Sequence, residues 1–151
     1  MCLAVETLAQ CWDEGQALLK LHWAEIALHR ELIPLEPDLM SYQDLERRGQ
    51  LLLVTMRDDE GTLVGYHVTL IRPHLHYHSS LTGFTDVFFI HPDHRKGTAA
   101  LKLFRFVERQ LALRSVERMY ATCKLSLDLK PLFTRLGWDE IERVFCKLVE
   151  S

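Results

Sequence analysis

The chain alternates between helical and strand-like patterning. Over residues 13–31 the apolar positions Leu19, Trp23, Ile26 and Ala27 recur at helical spacing, with Glu14, Lys20, Glu25 and Arg30 between them, which predicts an amphipathic helix. Residues 3–8 before it fit either a short edge strand or the start of a helix. Pro34 and Pro37 break the pattern, Asp38 or Ser41 can cap a second short helix, and Gly49 closes it. Residues 50–57 and 63–71 predict two antiparallel strands joined by a turn at Asp58, Asp59, Glu60 and Gly61. A longer polar connection over 72–81 leads to residues 85–90, a β-branched and aromatic run that predicts a strand covered on both faces. One carboxylate, Asp86, interrupts that run. His91, Pro92 and Asp93 stop the strand, and an amphipathic run through Arg114 predicts a long helix. Residues 116–122 then form a strand parallel to the first, because a helix connects the two. Residues 129–136 read as a short helix capped by Ser126 or Asp128, with Pro131 in its first turn and Gly137 at its end. The alternation over 138–149 predicts a last strand.

Composition narrows the function. With 151 residues, 48% of them hydrophobic, and no shift in composition, a single domain over 1–151 is expected. A net charge of −3 provides no general attraction to nucleic acid or to an anionic membrane. Cys2, Cys11, Cys123 and Cys146 show no CxxC pair, so neither a zinc site nor a disulfide scaffold is indicated. With no apolar run near a membrane span and no leader-like N-terminus, a cytoplasmic location is expected.

The junction of strand and long helix carries the chemistry. His94, Arg95, Lys96, Gly97, Thr98, Ala99 and Ala100 make a basic, small-residue turn from which a helix starts. First-turn N–H groups lack intrahelical partners and carry the positive end of the helix dipole, so a phosphate placed there gains donors and fixed charge. The strand, this turn and the helix resemble the acetyl-CoA-binding segment of the GCN5-related N-acetyltransferases, whose signature is Gln/Arg-x-x-Gly-x-Gly/Ala. Gly97 and Ala99 match its last two positions, while His94 stands at the first, with Arg95 one place late. A second segment, Leu132-Phe133-Thr134-Arg135-Leu136-Gly137-Trp138, is similar to the family's Leu-Tyr-x-x-Leu-Gly-Phe.

The resemblance implies an α/β fold of the α+β kind: a mostly antiparallel mixed sheet with a parallel central pair, flanked by helices. It implies acetyl-CoA as acyl-donor cosubstrate and direct attack by a primary amine, on a small molecule, a protein lysine or an N-terminus. On the cofactor side it places Phe88, Phe89 and Ile90 of the central strand, His94 through Ala100 of the turn, Lys102 on the helix, and Ser126 and Phe133 after the last β-α junction. In the family a bulge splays the central strand from its neighbour, and a main-chain N–H near Ile90 would serve the oxyanion. Asp86 stands where some members carry a general base, with His67 as a second candidate. Phe133 replaces the family's proton-donating Tyr, which leaves Tyr120, Thr122, Cys123, Thr134, water or unassisted departure of the thiolate, with Tyr120 the best on chemistry. His74, His76 and His78 alternate as metal ligands can, yet no nearby Cys or acid completes a site, and no metal is assigned. The 14 residues after Gly137 suggest an open acceptor cleft, suited to a larger amine, unless a second subunit of a homodimer closes it. Two alternatives stand beside the enzyme: a degenerate CoA-binding or protein-interaction module of the same fold, and transfer of a different acyl group.

Overall fold

The computed structural model describes residues 1–27 and 31–149. A five-stranded sheet runs in the order β1 (Cys2–Val5), β2 (Leu51–Arg57), β3 (Leu63–His74), β4 (Tyr77–Ile90) and β5 (Val116–Tyr120). The first three pairings are antiparallel and β4–β5 is parallel, the mixed sheet anticipated above. Helices α1 (Leu8–Ile26) and α2 (Leu39–Arg47) cover one face, α3 (Ala99–Ala112) covers the other, and α4 (Lys130–Leu136) packs beside α3.

Each side of the sheet has its own core. Toward α3, Leu52, Val54, Met56, Val64 and Ile90 meet Leu103, Val107 and Leu111. Leu103, Phe104 and Val107 are completely buried, and each such side chain contributes about 1.5–3 kcal/mol relative to exposure. Toward α1 and α2, Leu51, Leu53, Tyr66, Val68 and Phe89 meet Leu8, Cys11 and Leu18.

Three boundaries differ from the sequence expectation. α1 starts at Leu8, not at 13, because Leu8 and Cys11 extend the buried stripe and Gln10 Oε1 accepts the Thr7 N–H at 2.7 Å; β1 precedes it, so residues 3–8 contain both an edge strand and a helix start. The predicted helix end at 28–30 lies outside the described residues. The stretch 72–81, expected as a connection, is mostly strand: β3 runs to His74 and β4 starts at Tyr77, and its polar composition reflects the exposure of the hairpin tip. The third difference is the last strand. Residues 138–149 carry the alternation of a strand but pair with no other described segment. Lys130–Glu140 at 2.7 Å and the Trp138 Nε1–Glu108 bond at 2.6 Å hold only the beginning of the segment, and Val144, Phe145 and Val149 are exposed.

The cap of α2 is as expected, and at α4 the N-cap is Leu129, with Asp128 one residue before it. Asp38 caps α2 by accepting the Ser41 N–H at 3.0 Å, and Asp128 accepts the Lys130 N–H at 2.9 Å at the start of α4. Gly137, at φ +82°, ends α4 in the left-handed conformation that favours glycine.

Candidate active site

A one-residue irregularity in β4 shapes the site. Val68 is opposite Val87, yet Thr69 is opposite Thr85, so Asp86 has no partner in β3. Successive residues of a regular strand point to opposite faces. Here Asp86 and Val87 share one face: the Asp86 carboxylate accepts a hydrogen bond from the Tyr42 hydroxyl of α2, while Val87 packs into the α1–α2 core. On the other face Thr85 and Phe88 lie against His67, with Thr85 Oγ1 3.5 Å from its Nε2 and the Phe88 ring stacked at 5.9 Å. The strand is bulged at Asp86, and the bulge turns that carboxylate toward α2.

Beyond the bulge β4 has a free edge. The β4–β5 pairing runs from Leu81 to Phe84, where Tyr120 ends β5 opposite Phe84 and stacks on its ring at 5.5 Å. On the β3 side, His91 N–H donates to Val64 O at 2.8 Å, which makes Gly65–Ile90 a non-hydrogen-bonded pair. The main-chain groups of Ile90, and by alternation those of Phe88, therefore turn away from β3 toward the gap left by β5. Phe89 is different. Its main chain faces β3 and its ring stacks on His22 at 4.8 Å.

The turn after β4 continues this edge. Pro92–His94 form a single 3-10 turn, and α3 begins behind Thr98 with no side-chain cap on its first turn. Gly97 sits at φ +67° in open space. Lys96, Thr98 and Lys102 are exposed, Ala99 is buried, and Ala100 and His94 are half-buried. An extended thioester arm along Phe88–Ile90, with phosphates over small residues and two lysines at a helix start, fits these residues.

Other predicted residues are placed less directly. Arg95 turns away from the helix start: its Nε donates to Ile90 O at 2.7 Å, its NH groups hold both Glu25 oxygens at 2.9 and 2.6 Å, and it lies over the Phe89 ring at 5.0 Å. That bond to Arg95 lowers the pKa of Glu25. Ser126 is exposed in the turn between β5 and α4. Phe133 is wedged among Phe104 and Trp138 at 5.3 and 5.1 Å. His67 is completely buried with Thr69 Oγ1 at 3.1 Å, and burial pushes its pKa down to about 3. It is a core residue enclosed under α3, a correction to its candidacy as a base. His74 and His76 shape the β3–β4 hairpin tip, His74 Nδ1 accepting the His76 N–H at 3.2 Å, and the described residues contain no group of three or more His, Cys, Asp or Glu able to hold a metal.

An open acceptor cleft was expected, and α1, the 33–37 segment, α2 and the sheet border a solvent-open pocket of about 420 Å³. Trp12, Trp23, Tyr42, Tyr66 and His22 line it. Burial lowers the His22 pKa to about 4, and its Nδ1 is 2.7 Å from the Tyr66 hydroxyl. Burial, then the contact with Asp86, raises the pKa of Tyr42. Nothing in the sequence pattern singles out Tyr42. Only the position of α2 over the bulge reveals Tyr42.

Comparison with known proteins agrees with this architecture. The structure superposes on a ribosomal-protein-alanine N-acetyltransferase from Brucella melitensis biovar Abortus 2308 with TM-score 0.75 and 18% identity, covering 99% of this chain and 98% of that one. It also superposes on an acetyltransferase from Trypanosoma brucei with TM-score 0.71 and 17% identity, covering 98% and 99%. The aminoglycoside N-acetyltransferase AAC(6')-Iy, solved in complex with CoA, gives TM-score 0.72 at 17% identity, covering 99% and 100%. No curated protein matches the chain by sequence. The acetyltransferase (GNAT) family profile matches residues 16–138, a span containing the bulged strand, the glycine turn and the helix it starts, and the chain belongs to the GNAT family of acetyltransferases.

Proposed function

We propose that the protein transfers the acetyl group of acetyl-CoA to a primary amine held in the cavity between α1, α2 and the sheet. The observation that supports this reading is the bulge at Asp86, which turns a carboxylate toward α2 two residues after pairing with β5 ends. Acetyl-CoA supplies an acyl group activated as a thioester. The chain's own residues do the rest. The main-chain edge of Phe88 aligns the pantetheine arm, and the N–H of Ile90, whose carbonyl is held by Arg95, is aimed into the same gap as an oxyanion donor. Gly97, Thr98, Ala99 and Ala100 let phosphates approach the start of α3, with Lys96 and Lys102 as counter-charges.

Asp86 takes the proton of the incoming ammonium, directly or through water, while the Tyr42 hydroxyl orients the carboxylate. Tyr120, at the end of β5 beside the gap, is the proton donor to the departing thiolate, a role closed to Phe133 by its chemistry and its packing. The solved relatives include a ribosomal-protein N-acetyltransferase and an aminoglycoside N-acetyltransferase, so the fold serves protein and small-molecule amines alike. A volume of about 420 Å³ between α1, α2 and the sheet suits a small amine.

The test is release of CoA thiol during acetylation of an amine panel by the wild type, Asp86→Asn and Tyr120→Phe. Asp86→Asn should lower kcat by roughly 10²–10⁴-fold with little change in acetyl-CoA affinity. Wild-type kcat in Asp86→Asn would remove Asp86 as the base, and absence of acetyl-CoA binding by the folded protein would remove the reading as a whole.

A further inference from the structure

The cavity beside Asp86 has a chemistry of its own. Trp12, Leu19 and Trp23 of α1 line it together with Tyr66 and Val68 of β3, and Tyr42, whose hydroxyl donates to Asp86, lines it as well. Among the described lining side chains only Glu36 and Lys124 carry formal charge at neutral pH, one of each sign. His22 is held neutral by burial, and the Cys11 thiol is pushed up to about 11. A ligand with several ammonium groups would have to bury each charge against walls that offer one carboxylate, Glu36, and unpaired buried charge is strongly unfavourable. One ammonium can stay at the Tyr42–Asp86 end while an apolar body fills the rest. The volume, about 420 Å³, lies in the range of small-molecule sites.

We infer that the acceptor is a small monoamine carried on an aromatic or bulky aliphatic body, bound with its amine at Asp86 and its body between Trp12, Trp23 and Tyr66. This rests on the acetyl-transfer reading for the identity of the reaction, but not for the binding itself. Gly15 gives a clean probe of the cavity. It lines the wall from within α1, and a Cβ there would meet only Leu63 Cδ2 at 3.9 Å, so Gly15→Leu adds bulk to the cavity and removes no existing contact.

The experiment has two independent readouts. In the first, kcat/KM is measured with phenethylamine, spermidine, neamine and a lysine-containing peptide as acceptors. Phenethylamine should exceed each of the others by at least roughly tenfold, and Gly15→Leu should abolish that advantage while acetyl-CoA affinity by calorimetry stays unchanged. In the second, phenethylamine is titrated into the protein without any acyl donor, with tryptophan fluorescence as the signal, since Trp12 and Trp23 line the cavity. A saturable change that Gly15→Leu removes is expected. Preference for spermidine, neamine or the peptide, or indifference of both readouts to Gly15→Leu, would overturn the inference and leave acetyl transfer standing. Saturable, Gly15-sensitive binding with no transfer to any amine would support the cavity's ligand class and overturn acetyl transfer instead.

Discussion

Replacing Arg95 separates two roles that sequence and structure give to one side chain. Its place in the glycine turn suggests a phosphate ligand, whereas its contacts make it a brace between the turn, β4 and α1. Nε meets the Ile90 carbonyl at 2.7 Å, the two NH groups meet Glu25 at 2.9 and 2.6 Å, and the guanidinium covers Phe89. Arg95 and Glu25 are 34% and 31% exposed, so solvent screens the pair and it contributes about 0.5–1 kcal/mol. The hydrogen bond to the carbonyl adds about 1 kcal/mol, and the aromatic contact about 0.5–1 kcal/mol. Arg95→Ala should therefore destabilise the fold by about 2–3 kcal/mol in urea unfolding, with Arg95→Lys recovering only part because an ammonium cannot make the forked contacts. Glu25→Gln combined with Arg95→Ala should show a coupling of about 0.5–1 kcal/mol. Calorimetric acetyl-CoA titration of the same variants should show less than about a tenfold loss of affinity, equivalent to 1.4 kcal/mol. Unchanged stability with a hundredfold or greater loss of acetyl-CoA binding, and no coupling to Glu25, would refute the brace and restore the phosphate role.

Three further outcomes follow from the geometry of the buried histidines, the glycine turn and the Tyr42–Asp86 contact. His22 and His67 are buried with pKa values lowered to about 4 and about 3, so the unfolded chain takes up protons that the folded one refuses. Stability is then full above about pH 6.5 and falls as the pH drops toward the folded values, by about 1.4 kcal/mol per unit for each histidine; urea melts at pH 7, 6 and 5 read the slope, and His67→Gln should flatten it. Gly97→Glu places a side chain at φ +67°, which costs about 1–2 kcal/mol in backbone strain, yet its larger effect should be loss of acetyl-CoA binding by calorimetry, because a carboxylate would stand where phosphate is expected. Tyr42→Phe removes the hydroxyl on Asp86 and should lower kcat/KM about tenfold, in line with the strength of hydrogen bonds to charged groups, with acetyl-CoA affinity unchanged as the control.

The elements legible in the sequence are those whose signals are local. Asp38, Gly49 and Gly137 punctuate helices by their own backbone preferences, and the period of α3 reads directly from Leu103, Phe104, Val107 and Leu111. The failures are all matters of partnership. Residues 138–149 have strand-like alternation, but a strand exists only against another edge, and the pattern does not say whether one is offered. Residues 72–81 look like a loop because polarity was taken for absence of pairing, whereas a hairpin tip clear of both cores can be paired and polar at once. His67 reads as a base by residue type and is a buried core imidazole by position. Tyr42 and Arg95 fail for the same reason, since what each touches lies 44 and 70 residues away in the chain.

The bulge at Asp86 joins the two halves of the site in a way that neither motif alone would suggest. Had β4 kept its register, Asp86 and Val87 would point to opposite faces, and the carboxylate could not share the α1–α2 side with the wall of the cavity. One extra residue changes that phase, and bulges also bend the strand that carries them. β5 stops pairing at Phe84, two residues before the bulge, and the main-chain groups of Phe88 and Ile90, four and six residues beyond Phe84, open onto the resulting gap. The proposed amine side and the proposed thioester side thus meet at one irregularity seen from opposite directions. A substitution that restored regular pairing across 85–87 would remove base placement and cofactor edge together, so the two functions should be lost in concert and not one at a time.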